Sequence, residues 1–558
     1  MSSYLRKNSS GQRRILILFL VFFSASILFF NLGKRSFWEP DEGRYAEISR
    51  EMIESGDWLT PKLNHIKHFD KPPITFWLIG ASFVLLGQNE FAGHLPLVLI
   101  SLLGVLSTFA LGKSLFKERV GFLSGIILIA SLGYPVLSRL LSTDIILTLC
   151  CLLFYLFFIR EKYLLLYLAL ALGFMTKGPV IFLLTLIPIF TYLIYIRDKR
   201  TFFKMRLGWG LLLVAALALP WYIYQVSINK GLLHDWLVQQ TYNRVVRPID
   251  DPFYFFIPVL LGLFFPQIVF LFQAFKKYLS LKRKPIDRQH AHTLLLFFWF
   301  LIPFIFFSCI GKKLVPYMLP ILPALAILVA RLWDEAMENA KILSGRGFKV
   351  PFYIYVFILF LLAAAMTVFL VMGYDSQVNI TPARANIIFL VFIFSCAICA
   401  SILAFRAKNV QRLFWIITLS SVFFFLTSVD ILPKIETGTG RSLKELALKI
   451  KEDLKPQDKV VNYRCFLTSL PFYIGRRTIV VERQRNIAYE EEPAHYNDYL
   501  LKDKHDLYRL MDKYKVYCIT YTWEFEKIKE EYPKPLYLLG QARKYVLFVN
   551  RMRPKLTQ

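Results

Sequence analysis

The sequence predicts an α-helical polytopic membrane protein with a small α/β domain at its C-terminal end. Three observations lead there. Of the 558 residues 56% are hydrophobic and 19% charged, whereas soluble domains carry about 25% charged residues. Apolar windows of about 20 residues, enough to cross a hydrocarbon core roughly 30 Å thick, recur along most of the chain. After Asp430 the pattern changes to short β-branched and aromatic runs, "KVVNY", "TIVVE", "KVYCITY" and "YVLFVN", with helical stretches such as "RSLKELALKIKEDL" between them.

In chain order, about thirteen windows are expected to span: 15–32, 91–112, 119–137, 143–159, 162–176, 178–196, 207–226, 253–275, 292–310, 315–333, 351–373, 385–405 and 412–430. The first follows Arg6, Lys7, Arg13 and Arg14 and lacks a clear small-residue cleavage site, so it reads as an uncleaved anchor. Within 162–196 the only break is Lys177, Gly178 and Pro179. Alternate short loops carry basic clusters, among them Arg197, Lys199, Arg200, Lys204 and Arg206, while the intervening loops carry far fewer. The positive-inside rule then places the N-terminus in the cytoplasm, and an odd number of spans leaves the C-terminus outside. Topology and anionic-lipid contact account for the formal charge of +28 and argue against nucleic acid as a partner.

The expected division is a membrane domain over 1–430 and an extracytoplasmic α/β domain over 431–558. The latter alternates strands with helices and contains no Gly-x-Gly-x-x-Gly or P-loop sequence, so nothing in it signals a nucleotide. Its two cysteines, Cys465 and Cys518, are candidates for a disulfide outside the cell.

The first external loop, 33–90, is long and highly charged. From Pro40 to Glu54, Tyr45, Ile48 and Met52 recur at helical spacing opposite Glu47, Arg50, Glu51 and Glu54, the pattern of a helix lying on the membrane surface. The apolar run Ile74–Leu86 is too short to span and is expected to be interfacial or re-entrant.

Candidate chemistry concentrates in this loop and two others on the same side. Asp41 is expected on the inward-looking face of its helix, with Arg44 one turn away. A carboxylate there is costly unless paired or used; the competing role is an N-terminal cap. Glu42 reads as a first-turn dipole residue. In "HIKHFDKPP", His68 and Asp70 are candidate ligands for a divalent ion such as zinc, magnesium or manganese. Lys71, its backbone fixed by the two following prolines, could hold a phosphate or snorkel to lipid headgroups. "SRLLSTD" contributes Arg139 and Asp144, and "SCIGKKLVPYMLP" contributes Lys312, Lys313 and Tyr317. Asp250 and Asp251, before Pro252, read as an ordinary turn.

The stretch "FWEPDEGRYAEISREMIESGDWLTPKLN…HFDKPPITFW", continued in "MTKGPVIFLL", "LALPWYIYQV" and "GKKLVPYMLPILPALAILVA", resembles the bacterial aminoarabinose transferases of lipid A. These are part of the wider membrane glycosyltransferase family that includes the protein O-mannosyltransferases. The resemblance covers the membrane part well and the tail in outline. It implies a GT-C fold, a polyprenyl-phosphate sugar donor such as undecaprenyl phosphate, and transfer to lipid A or another envelope acceptor at the external leaflet. The alternative acceptor is protein. The resemblance also carries the essential carboxylate onto Asp41 and a second acidic position onto Asp144. Phosphate contacts fall on Arg44, Lys71, Lys313 and Tyr317, while Tyr45, Glu42 and Lys312 would line the cavity. Two departures stand out. Asp70 replaces a glutamate that helps bind a metal in those enzymes, and the histidine used with it would fall near Thr241. "KLVPY" also has its proline one place later than their "KLPTY". A transporter, the rival class, would place its charges near the midplane of broken helices; here they lie in loops on one face.

Overall fold

The structure, a computed structural model, describes residues 10–242, 251–279, 287–372, 381–439, 443–482 and 499–552. Each apolar window falls on helix. Among the described residues eight helices are individually long and apolar enough to cross a bilayer, and the chain is an integral membrane protein. The other windows depart from simple spans in identifiable ways. The expected span 253–275 is two helices, Phe253–Leu263 and Ile268–Tyr278, bent by 107° around Pro266, which has no N–H to continue a helix. The 119–137 window divides into Glu118–Ala130 and Gly133–Ser138. The helices Asp144–Ile159, Tyr163–Lys177 and Val180–Ile196 are shorter than a full span. The first has 16 residues, about 24 Å at 1.5 Å per residue. Asp144 opens the first and Lys177 closes the second, so the two meet at one end of the bundle.

Helices Glu90–Leu115 and Glu118–Ala130 cross at glycines. A Cβ on Gly121 would lie 2.4 Å from the Phe109 carbonyl oxygen, the close approach that small residues permit between membrane helices. Aromatic packing fills the centre, with Tyr155 and Trp299 stacked at 4.0 Å and both fully buried.

The loop over 33–90 forms the two expected helices, Asp41–Ser55 and Ile74–Leu86. A hairpin that the sequence does not announce lies between them: β1 (Lys62–Leu63) and β2 (Ile66–Lys67). Asn64 and His65 at its tip both have positive φ, 55° and 65°, the geometry of the tight turn that matches strand twist.

The Asp41–Ser55 helix does not lie with a solvated polar face. Tyr45, Ile48 and Met52 are buried as expected, but so are Glu47, Arg50 and Glu51. The Ile74–Leu86 helix packs on it, and the Ser469–Ile474 helix of the C-terminal domain covers it at Gly43, where a Cβ would lie 2.5 Å from the Ser469 nitrogen. Its buried charges are compensated. Arg50 binds Glu47 through Nε and Nη2, both at 2.8 Å, and Glu54 at 2.7 Å. Burial, with the Glu47 carboxylate beside it, pushes the Glu51 carboxyl up to about 9.

The C-terminal domain is a six-stranded sheet in the order β5-β4-β3-β6-β8-β7. The four expected runs supply β3 (Lys459–Tyr463), β4 (Ile479–Val481), β6 (Val516–Tyr521) and β8 (Tyr545–Val549). The remaining strands, β5 (Leu500–Leu501) and β7 (Tyr537–Ala542), carry weaker patterns. Pairing is parallel from β5 to β6 and antiparallel from β6 through β8 to β7. Cys465 and Cys518 are both buried and do not pair; the Cys465 thiol donates instead to the Ile519 carbonyl at 3.5 Å.

Candidate active site

A cavity of about 1430 Å³ opens where the 33–90 loop meets the bundle. Its wall is mainly apolar and aromatic, including Phe174, Trp221, Tyr222, Trp236 and Phe306, and it is met by two small ionic clusters. In the first, Arg44 Nη2 lies 2.6 Å from Asp41 Oδ1 and Nη1 lies 3.9 Å from Asp70 Oδ2. Lys71 Nζ approaches the same Asp70 oxygen at 3.0 Å. In the second, Lys177 Nζ binds Asp144 Oδ1 at 2.6 Å and stands 4.7 Å from the centre of the Tyr317 ring, a cation–π arrangement. Tyr45 stands between the clusters. Burial raises its phenol above the ordinary range, and it feels the charges of Arg44, Asp70, Asp144 and Asp41 together. A deprotonated Tyr45 is therefore disfavoured, and the side chain serves as a neutral wall and hydrogen-bonding group.

Asp41 is neither buried nor a cap. Pro40 occupies the cap position with no side-chain bond, and Asp41 is the first helical residue. Its side chain is 70% accessible and lines the cavity, so its pairing with Arg44 holds as expected while the inward-buried placement does not. A phosphate entering here would compete with Asp41 and Asp70 for Arg44 and Lys71, trading one set of charge-assisted bonds for another.

Glu42 is not an exposed first-turn residue. It is buried and accepts from Arg35 Nη1 at 2.5 Å, Arg35 Nη2 at 2.7 Å, Trp38 N at 2.9 Å and Leu141 N at 3.1 Å. His94 Nε2 lies 3.1 Å away. Burial alone would raise its carboxyl, but Arg35 and His94 overcome that and hold it well below the ordinary range. The bond to Leu141 fastens the helix carrying Asp41 to the loop leading to Asp144. Arg139, in the same loop, donates to the Phe30 carbonyl at 2.5 Å and is a structural tie.

The two lysines after Gly311 diverge. Lys312 is exposed and lines the cavity. Lys313 is buried with its ammonium taken up by the carbonyls of Ile310 at 2.8 Å and Asp251 at 2.9 Å. Its backbone N–H bonds the Asp251 carboxylate at 3.0 Å. Asp251 is thus an anchor for this loop, while Asp250 lies outside the described residues. With its ammonium taken up by these carbonyls, Lys313 is not part of the cavity lining, so the phosphate contact assigned to it has no cavity-facing group behind it.

His68 and Asp70 find no third ligand among the described residues, where no three His, Cys, Asp or Glu side chains converge as ligands. Asp70 is already neutralised by Lys71 and Arg44, whose positive charges would oppose a divalent ion at the same oxygens.

Three contributors escaped the sequence reading as site residues. Lys177 had a signal, as the sole ionisable residue between two apolar helices. Trp236 donates from Nε1 to the Phe69 carbonyl at 2.9 Å and stacks on Trp221, so the aromatic wall begins beside Asp70. Glu39, which also lines the cavity, is half-buried and bonded to the C-terminal domain. Burial raises its carboxyl despite the bonds from Ser469 and Thr468 that oppose the shift.

The sequence model of the family described as dolichyl-phosphate-mannose-protein mannosyltransferase matches residues 70–224. An undecaprenyl phosphate-alpha-4-amino-4-deoxy-L-arabinose arabinosyl transferase of Proteus mirabilis is 31% identical over 360 residues. That alignment covers 61% of this chain and 63% of that protein, so it spans less than two thirds of the relative's length. A protein of the same description from Shewanella sediminis is 28% identical over 500 residues, covering 83% of this chain and 86% of its own. Among solved structures, ArnT from Cupriavidus metallidurans bound to undecaprenyl phosphate superimposes with a TM-score of 0.81 at 20% identity, over 96% of this chain and 98% of that one. The chain shares that fold, the GT-C fold.

Proposed function

We propose that this GT-C membrane protein is an inverting glycosyltransferase that moves a sugar, aminoarabinose in the favoured reading, from a polyprenyl-phosphate donor to lipid A. The observation that carries the reading is the cavity's two-sided chemistry. Apolar and aromatic walls suit a prenyl chain, and Arg44, Lys71 and the Lys177–Tyr317 pair suit its phosphate. Similarity to the undecaprenyl phosphate-aminoarabinose arabinosyl transferases supports the identity of the donor.

In the reaction the C1–O bond to the donor phosphate breaks, and its electron pair leaves with the lipid phosphate. A new C1–O bond forms from an acceptor oxygen on the opposite face. The sugar passes through an oxocarbenium-like state, as in other glycosyl transfers. Arg44 and Lys71 stabilise the charge that grows on the leaving phosphate, and their stabilisation is greatest where that charge is greatest. A lipid A phosphate acceptor is already anionic, so Asp41 then orients groups rather than taking a proton. A hydroxyl acceptor would need Asp41 as general base.

Mass spectrometry of lipid A from cells with and without the gene tests the acceptor and the sugar. An added aminoarabinose mass that depends on the gene is the expected result. Unchanged lipid A together with lost protein O-glycosylation would move the reading to a protein acceptor, the chemistry in the description of the matched family model.

Arg44→Ala and Lys71→Ala should each reduce turnover of a short-chain prenyl-phosphate-sugar by roughly ten- to a hundredfold, about 1.5–3 kcal/mol per lost charge-assisted bond. Kinetics unchanged in both would reduce them to lipid anchors. The reading also places the protein in the inner membrane with its N-terminus cytoplasmic and its C-terminal domain periplasmic. A reporter active only in the cytoplasm, fused after Gln558, should stay silent; a strong signal would reverse the topology.

A further inference from the structure

Asp41 and Lys71 belong to different segments, one opening a helix and the other following the β1–β2 hairpin. Two side chains beside these segments fasten both to the C-terminal domain. Glu39 receives the N–H and the hydroxyl of Thr468 at Oε2, both at 2.9 Å, and the N–H of Ser469 at Oε1 at 2.7 Å. The Thr468 hydroxyl also lies 2.5 Å from the Pro40 carbonyl, so the residues immediately before Asp41 are held at both side chain and backbone. Asn64 makes a second, two-way junction: its Nδ2 donates to the Thr478 carbonyl at 2.8 Å, and its Oδ1 accepts the Thr478 N–H at 2.9 Å. Arg477 adds a bond from Nε to the Asn64 carbonyl at 3.0 Å.

Thr468 and Thr478 lie either side of the Ser469–Ile474 helix, the element that covers Gly43. Tyr473 of the same helix accepts the Phe37 N–H at 2.8 Å. Three junctions, at Phe37, Glu39 and Asn64, therefore meet the 468–478 segment of the domain, the helix and the residues that flank it. Both carboxylate oxygens of half-buried Glu39 are taken up by Thr468 and Ser469, so the side chain is committed to this junction.

We propose that the C-terminal α/β domain is a positioning clamp for the reaction, with Glu39 and Asn64 as the positioning residues that fix Asp41 relative to Lys71. The inference rests on the glycosyl-transfer reading. Glu39 sets the entry of the Asp41 helix through Pro40, whose φ is fixed by its ring. Asn64 sets the hairpin from which the Asp70–Lys71 loop departs. Displacements near 1 Å at a reacting centre cost on the order of a hundredfold in rate, so loosening either junction is read in turnover before it is read in folding.

The test uses the full chain in lipid nanodiscs with a prenyl-phosphate-sugar donor. Glu39→Gln keeps the size and one carbonyl acceptor, Thr468→Val removes only the hydroxyl, and Asn64→Gly keeps the positive φ without the side chain. Glu39→Gln and Thr468→Val should lower kcat, the former by about tenfold or more, with donor KM within about twofold. Asn64→Gly should chiefly raise donor KM. Lys534→Ala, in a surface ion pair of the same domain with Asp512, should leave both unchanged. In all three clamp variants hydrogen exchange at 36–45 and 62–73 should quicken without donor present, while the melting temperature stays near that of the parent.

If the parent chain transfers no sugar, the functional reading fails and the exchange data still judge the clamp. Parent-like kinetics and exchange in the clamp variants would overturn the proposal, as would activity that falls only in step with the folded fraction. Should Glu39→Gln not fold, Thr468→Val and Asn64→Gly decide it.

Discussion

Asp41→Asn should cut sugar transfer by about two to four orders of magnitude, the scale of a positioned acid–base or charge-stabilising group, while the protein folds and inserts as before. The structure makes this substitution cleaner than the sequence alone allowed. Asp41 makes no cap bond and is open to the cavity, so no buried partner is orphaned. Its direct partner is Arg44 at 2.6 Å, an exchangeable contact of adjacent turns worth little to stability. Turnover with a short-chain donor is the measurement. Glu54→Gln is the matched control, because Glu54 is on the same helix and outside the cavity lining. Near-normal transfer by Asp41→Asn would remove this carboxylate from the chemistry.

Glu42→Ala should be the most destabilising single change in the first external loop, by about 3–5 kcal/mol, the usual cost of leaving a buried charge without its partner. Arg35 loses both bonds to its carboxylate, and the N–H groups of Trp38 and Leu141 lose their acceptor. Glu42→Gln should fall between, since the amide oxygen can accept but cannot balance Arg35. Sequence alone makes Glu42→Gln the mild neighbour of Asp41→Asn, and the network reverses that expectation. Thermal unfolding in detergent, followed alongside the transfer rate of the folded fraction, measures it. A melting temperature equal to the parent's in Glu42→Ala would show the network to be energetically idle.

The sequence by itself determined the elements and the class. Hydropathy is a local property, so thirteen apolar windows could be read without knowing their neighbours, and each is helical. The β-branched runs of the tail likewise become β3, β4, β6 and β8, because alternating and apolar runs report on a strand's own faces. The motif around Asp41, Arg44 and Lys71 was legible as a charged loop beside a membrane, and the structure gathers these residues at one cavity.

Tertiary structure decided what each charge does. Glu42 and Asp41 are adjacent in sequence, equal in chemistry and both on the cavity lining, yet one is locked among Arg35, His94 and the 139–141 loop while the other is exposed. Lys312 and Lys313 divide in the same way, because the carbonyls of Ile310 and Asp251 capture one ammonium and leave the other exposed at the cavity. Lys177 joins the site across 33 residues to Asp144, and Glu39 reaches Ser469 across 430. Such pairings depend on which helices and domains come together, and no window of local sequence contains that information. The physical reason is that burial and charge compensation belong to the assembled bundle, whereas hydropathy and periodicity belong to the chain.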